Sequence, residues 1–157
     1  RDVMAADIPN AFIQTEMPVT PDKDKVIMKI TGVLVDMLVQ LDPIVYEEHV
    51  VYEKGCKVLY VQVLRAIYGM LNASLLWYKR FRSDLESIGF KFNAYDPCVA
   101  NRETNGAQHT VRFHVDDIMS SHVNSKVNDK FAEWLNKAYG VHKRLNPQEV
   151  KSMTTGV

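Results

Sequence analysis

Three aspartates stand where apolar segments end, a placement that suits metal-dependent chemistry. Asp7 closes the first short apolar segment, and Asp116 and Asp117 separate the apolar runs 111–115 and 118–119. A doublet at the tip of a hairpin, beside a third acid at the end of a neighbouring strand, could hold two divalent cations, because Mg²⁺ prefers oxygen ligands. Two such ions ~3.5–4 Å apart can stabilise the attacking and leaving oxygens of a phosphoryl displacement. On spacing alone, an Asp-Asp pair is more often a simple turn.

The elements that would carry these acids follow from hydrophobic spacing. Trp77, Phe81 and Leu85 recur every four residues within 73–88, which predicts a helix with one apolar face, and Gly89 stands where a C-terminal cap belongs. The same spacing favours a core position for Trp77 over a role in stacking on nucleic-acid bases.

Turn and cap signals place the remaining elements. Asn105-Gly106 predicts a hairpin turn, and Asn124 or Ser125 can cap a second helix that ends near Tyr139. The resulting order of strand, insertion, helix, paired strands and helix matches the first five elements of the β-α-β-β-α-β ferredoxin-like fold and predicts an α+β class. The other predicted elements are a strand ending at Asp7, a loop over 18–25, a strand over 26–30, a helix over 32–41, a strand over 57–64, hairpin strands over 99–102 and 108–115, and a strand over 118–123.

Composition excludes several classes of protein. The 157 residues carry 19 Lys and Arg against 19 Asp and Glu, so the net charge is zero, which argues against a simple basic nucleic-acid binder. A hydrophobic fraction of 46% favours a folded domain over a disordered chain. No glycine-rich phosphate loop occurs, the two cysteines lack zinc-site spacing, and no uninterrupted apolar stretch of ~20 residues predicts a membrane span.

Four short motifs follow one another around these acids. The first is D-I-P-N-A-F-I at 7–13, and the second is V-L-R-A-I-Y-G at 63–69 with W-Y at 77–78. The third is Y-D-P-C at 95–98, and the fourth is F-H-V-D-D-I at 113–118. In this order they resemble the D-V-x-x-A-F-L, L-x-x-x-L-Y-G-L-x-Q-x-P-x-x-W-Y, S-D-P-x and L-Y-V-D-D-[IM] motifs of reverse transcriptases from copia-type LTR retrotransposons.

The resemblance implies an RNA-directed DNA polymerase that transfers nucleotides with two metal ions. The primer 3′-hydroxyl would attack the α-phosphorus of a deoxynucleotide and release pyrophosphate, with Mg²⁺, or Mn²⁺ as an alternative, as cofactor. Phe12 would lie under the incoming sugar and exclude a 2′-hydroxyl, and backbone amides after Asp7 would help to hold the triphosphate. The implied site residues are Asp7, Asp116 and Asp117 as catalytic metal ligands, Ile8, Phe12, Gly69 and Asn72 for the nucleotide, and His114 and Val115 near the primer.

The resemblance also implies an architecture and a set of partners. Residues 1–16 and 65–157 would form a ferredoxin-like polymerase palm, an antiparallel sheet with helices on one face, and 17–64 a fingers-side insertion. The final palm strand and the thumb would be missing, so we expect the chain alone to be inactive. Partners would be an RNA or DNA template-primer, a dNTP and the rest of a Pol polyprotein, with integrase upstream and RNase H downstream. The location would be intracellular, in a cytoplasmic virus-like particle, without a membrane.

Some positions depart from the family pattern, and two other functions stay open. His114 replaces the usual Tyr, Ser74 and Leu75 replace Pro-Arg, and Thr15 replaces Gly, but none of these is an implied metal ligand. The main alternative is a degenerate retroelement fragment that at most binds nucleic acid without polymerising. A third is an unrelated metal-dependent phosphotransferase with a ferredoxin-like core.

Overall fold

The computed structural model describes residues 1–18 and 25–140 and divides into two compact units. One unit contains Arg1–Thr15 and the described residues from Ala66 onward, and the other contains the described residues of Glu16–Arg65. Most of the predicted loop over 18–25 lies outside the described residues. Assigning the two units to palm and fingers stays a prediction.

The described residues form antiparallel sheets and four α-helices, a mixed α+β architecture. Within these residues no helix is both long enough and apolar enough to cross a membrane. In chain order the elements are β1 (Asp2–Asp7), β2 (Ile27–Thr31), α1 (Val33–Leu41), α2 (Pro43–Tyr46), a 3₁₀ turn (Glu47–His49), β3 (Val51–Glu53), β4 (Cys56–Gln62), α3 (Ala73–Ser87), β5 (Lys91–Phe92), β6 (Val99–Thr104), β7 (Ala107–His114), β8 (Asp117–His122) and α4 (Ser125–Tyr139).

The larger unit is built on a five-stranded sheet in the order β1-β8-β7-β6-β5. Side chains alternate along its strands between a buried face and a more exposed one, as expected for an antiparallel sheet covered on one side. Residues of α3 and α4 join the buried face in one hydrophobic cluster, so both helices cover the same side. The side chains that join this cluster include Met4, Ala6, Val111, Phe113 and Ile118 from the sheet, Trp77, Phe81 and Leu85 from α3, and Phe131, Leu135 and Tyr139 from α4.

The two long helices begin and end close to the predicted residues. The apolar stripe of α3 is buried, and Gly89 follows its end at φ 88°, where a left-handed residue lets the chain leave the helix. The amides of Gly89 and Phe90 donate to the carbonyls of Glu86 and Leu85 there, which satisfies two terminal acceptors. At the start of α4, the Asn124 side chain accepts from the amide of Lys126.

The smaller unit has a three-stranded sheet in the order β2-β4-β3, with α1 packed against β2 and β4. Its buried apolar side chains are Val35, Val58 and Leu59. An ion pair of 2.5 Å between Lys57 and Asp36 joins β4 to α1. The sequence indicated β2, α1 and β4 but not α2 or β3, because segments of three or four residues are too short to show a period.

Candidate active site

Strand register brings Asp7 and Asp117 side by side. They are directly opposite each other in the antiparallel pair β1–β8, and both are exposed. Directly paired residues point to the same face of a sheet with Cβ atoms roughly 4.5–5.5 Å apart. His114 is in turn the partner of Asp117 across β7–β8. Asp7, Asp117 and His114 therefore form one row across three strands, on the face that the helices leave open.

Asp116 reaches the same place through a strained turn. With His114 paired to Asp117, the β7–β8 hairpin has only two loop residues, Val115 and Asp116. Val115 has φ 56°, whereas Asp116 does not have a positive φ, the sign pattern of a type II′ turn. Gly is the usual residue at that first position, and a β-branched side chain there is a genuine outlier that costs roughly 1–3 kcal/mol. Such strain persists only where the surroundings enforce it.

Two hydrogen bonds from outside the hairpin hold this turn. The indole Nε1–H of Trp77 donates to the Val115 carbonyl at 2.7 Å, and the backbone amide of Ile8 donates to the Asp116 carbonyl at 3.0 Å. The first bond anchors the turn to α3, and the second anchors it to the residue that follows β1. The structure confirms the core position of Trp77. Its contact with the turn was not predicted, because hydrophobic spacing indicates burial and not polar partners.

The three carboxylates form a locally repulsive group. Although Asp7 is exposed, neighbouring protein atoms displace part of its hydration and raise the pKa of Asp7 above its ordinary value, and the negative charges of Asp116 and then Asp117 raise it further. Like charges that oppose one another's ionisation must lie close together, so this shift agrees with the strand register. A divalent cation would relieve the repulsion.

The oxygen donors of this group suit a hard cation. Three carboxylates at one edge of a sheet are a set that Mg²⁺ or Mn²⁺ accepts, with water or phosphate oxygens completing the coordination. Within residues 1–18 and 25–140, no three side chains of His, Cys, Asp or Glu already surround one common point. The three carboxylates therefore fit a divalent cation in the chemistry of their oxygen ligands and in their closeness to one another.

The residues implied to bind nucleotide lie in two neighbouring segments of the larger unit. Phe12 is half-buried and packs against Tyr68, with ring centroids 4.6 Å apart. Gly69 follows Tyr68 in a turn at φ 92°, and the exposed Asn72 precedes α3 without a side-chain capping bond. The Ile8 amide donates to the Asp116 carbonyl and its side chain is fully buried, and its implied contact with the nucleotide stays a prediction.

The positions that depart from the family pattern lie around this group. Ser74 and Leu75 are exposed on the first turn of α3. Thr15 is buried, and its hydroxyl has no hydrogen-bond partner among the described residues. Its backbone carbonyl accepts from the amide of Ala66 at 2.9 Å, so the segment after Asp7 contacts the segment that leads to α3.

A buried polar network occupies the opposite face of the same hairpin. His109 on β7 is fully buried, with its Nε2 2.7 Å from the Ser120 hydroxyl and its Nδ1 3.3 Å from Arg102 Nε. Ser120 donates to the Asn128 side chain of α4 at 2.8 Å, and Asn128 donates to the Asp2 carboxylate at 2.7 Å. Arg102 can only donate, so His109 accepts at Nδ1 and carries its proton on Nε2. Each group in this network therefore donates to the next one, beginning with the Arg102 guanidinium and ending at the Asp2 carboxylate.

Comparison with known proteins assigns no family to the chain. It matches no protein-family model and no curated protein sequence. A family assignment consequently depends on the four motifs and on the geometry of the acidic group.

Proposed function

We propose that the chain is the palm and part of the fingers of a copia-type RNA-directed DNA polymerase. The observation that carries the proposal is the register of β1, β8 and β7, which sets Asp7 beside Asp117 and puts Asp116 on the adjoining turn. Asp7 lies 109 positions before Asp116 in the sequence, yet the three acids meet at one edge of the open face. A chance Asp-Asp turn has no reason to face a third acid in this way.

Strand topology supports the same function. In a split β-α-β-β-α-β unit, the first strand pairs with the third, and the third pairs with the second. Here β1 pairs with β8 and β8 pairs with β7, while α3 and α4 cover one face. The extra strands β6 and β5 extend the β7 edge. The outer edge of β1 is where the closing strand of the fold would pair.

The chain's own residues would divide the work of nucleotidyl transfer. Asp7, Asp116 and Asp117 would hold the divalent cations, which when bound neutralise charge on the phosphates and on the attacking oxygen. Phe12, braced by Tyr68, would meet the sugar and reject a 2′-hydroxyl. Catalysis of this kind depends mainly on positioning and charge stabilisation.

The deciding experiment is primer extension on an RNA template with Mg²⁺, using the polyprotein segment that contains this chain and its flanks. We expect extension by the parent and a loss of at least ~10³-fold in Asp116→Asn, because a metal ligand disappears. Glu133→Gln, an exposed acid on α4 changed to its amide, is the matched control and should extend normally.

The absence of primer extension would distinguish the polymerase from the alternative function. If the parent segment folds but shows no extension with either Mg²⁺ or Mn²⁺, the polymerase proposal is wrong and a degenerate fragment is favoured. If the Asp116→Asn segment extends as well as the parent, these acids are not the catalytic metal ligands.

A further inference from the structure

Trp77 is fixed in a single orientation within the core. Its side chain is 1% exposed, stacked on Phe81 with ring centroids 5.4 Å apart, and in edge contact with Tyr139 at 5.5 Å. Burial and these contacts on two sides hold the indole in this orientation. The direction in which its N–H points is consequently set by α3 and α4, and that N–H meets the Val115 carbonyl at 2.7 Å.

The Val115 carbonyl belongs to the one peptide that decides the type of this turn. Types II′ and I′ both have a positive φ at the first loop residue, and they differ by a flip of the peptide between the two loop residues. A flip would turn the Val115 carbonyl away from Trp77 and rotate the backbone of Asp116. The indole bond therefore selects between two orientations of the residue that carries the central acid.

We propose that Trp77 is a positioning residue for the acidic site, whose indole N–H holds the Val115–Asp116 peptide so that the Asp116 carboxylate joins Asp7 and Asp117. That this positioning serves metal binding rests on the proposed function, whereas the hydrogen bond from Trp77 to Val115 is independent of that function. The amide of Ile8 fixes the other carbonyl of the turn at 3.0 Å. The two bonds together orient both loop peptides from outside the hairpin.

A matched pair of substitutions separates positioning from simple packing. Trp77→Phe keeps an aromatic ring against Phe81 but removes the N–H donor. Trp134→Phe is the control, because Trp134 also stacks on a core ring, Phe131 at 5.5 Å, but lies on α4. Both tryptophans belong to the larger unit, so a general loss of packing would affect both variants.

The first measurement is independent of metal and of activity. In ¹⁵N spectra of the 157-residue chain, we expect Trp77→Phe to give the Asp116 amide a second resonance or exchange broadening, as the peptide samples its flipped form. The same amide should be unchanged in Trp134→Phe. Adding Val115→Gly to Trp77→Phe should restore one sharp resonance, because type II′ combines a positive φ with a ψ of roughly −120° at this residue, which Gly adopts readily and a branched side chain does not.

The second measurement is Mn²⁺ affinity, followed by paramagnetic broadening of the amides around Asp7 and Asp117. We expect Trp77→Phe to weaken binding about tenfold, which corresponds to ~1.4 kcal/mol, and Trp134→Phe to change it less than about twofold. If Trp77→Phe does not fold, a benzothienyl analogue at this position replaces the N–H by sulfur at almost the same shape and allows the same comparison.

The outcomes distinguish this inference from the proposed function. An unchanged Asp116 resonance together with unchanged Mn²⁺ affinity in Trp77→Phe would overturn the positioning role and leave the polymerase proposal standing. A parent chain that binds no Mn²⁺ at these acids would instead count against the polymerase site. The positioning inference would then be decided by the amide resonances alone.

Discussion

The buried histidine of the larger unit should make its stability depend on pH. His109 contacts Ser120 and Arg102 by hydrogen bonds, and the rings of Phe90, Phe131 and His122 surround it at 5.0 to 5.7 Å. Burial, and after it electrostatic repulsion from Arg102 and then His122, together lower the pKa of His109 from the ordinary 6.5 to about 4. The folded unit therefore keeps this ring neutral at a pH where the unfolded chain protonates it.

The sign and size of the effect follow from the two pKa values. Because the folded pKa lies below the unfolded one, the stabilisation is complete above pH 6.5 and is lost as the pH falls towards 4. The full difference between 6.5 and about 4 corresponds to about 3 kcal/mol. Between pH 7.5 and pH 5.0 this one residue accounts for a loss of about 2 kcal/mol.

The assay is urea unfolding followed by tryptophan fluorescence at several pH values. Trp77 and Trp134, the two tryptophans of the chain, both lie in the larger unit, so the signal reports the unit that contains His109. His109→Gln removes the titrating group but keeps an amide that can accept from Arg102. We expect its deficit in unfolding free energy relative to the parent to shrink by about 2 kcal/mol from pH 7.5 to pH 5.0.

A surface histidine provides the control. His114 is exposed and lies in the same unit as both tryptophans, so His114→Gln should keep the loss of about 2 kcal/mol between pH 7.5 and pH 5.0 that His109 causes in the parent. Parallel curves for the parent and His109→Gln over this range would refute the proposed contribution of His109 to the pH dependence. Titration of the His109 ring near pH 6.5 in NMR spectra of the folded chain would refute it as well.

Asp7→Asn and Thr15→Val test the polar groups near the acidic site, with Thr110→Val as the matched control for Thr15→Val. Asp7→Asn should raise the unfolding free energy at pH 7 by up to ~1 kcal/mol. The raised pKa of Asp7 means that its negative charge opposes folding wherever the pH exceeds its ordinary pKa of 3.8, and solvent screening limits the size of this effect. In urea titrations this gain should shrink in high salt, and a loss of stability would contradict it. Thr15→Val should stabilise by about 1 kcal/mol, since its buried hydroxyl lacks a partner among the described residues. Thr110→Val removes a hydroxyl that bonds Gln108 and Asn101 and should lower the melting temperature. Equal shifts in melting temperature for the two Thr variants would contradict the expectation that the hydroxyl without a partner destabilises and the bonded one stabilises.

Sequence patterns predicted the elements that have strong periodicity or clear caps. The apolar repeat of α3 and the Asn105-Gly106 turn each act over a few adjacent residues, so local rules are sufficient for them. Asn105 and Gly106 both have a positive φ, as the hairpin signal requires. Segments such as β5, with two residues, contain too little pattern to be recognised.

The candidate site could be predicted only in part. Acid positions at the ends of apolar runs indicated where metal ligands could lie, because Asp is out of place inside a strand. The bond from Trp77 to the turn and the use of the Ile8 amide depend on how α3 and β1 pack around the hairpin. No local pattern encodes such contacts between distant segments. The positive φ of Val115 was equally hidden, since a β-branched residue is the last that the turn rules would place there.

The buried network and the acidic row depend on the same strand register. On β8, Ser120 points into the core while Asp117 points to the open face, and on β7 His109 and His114 divide in the same way. A slip of one residue would bury the acid and expose the network, since every side chain would change face. A single buried polar residue can fix the register of a coiled coil, and His109, Ser120 and Asn128 would do the same for this sheet. The proposed active site would then depend on polar residues that never touch it, because a slipped pairing of β7 and β8 would break the contact of His109 with Ser120.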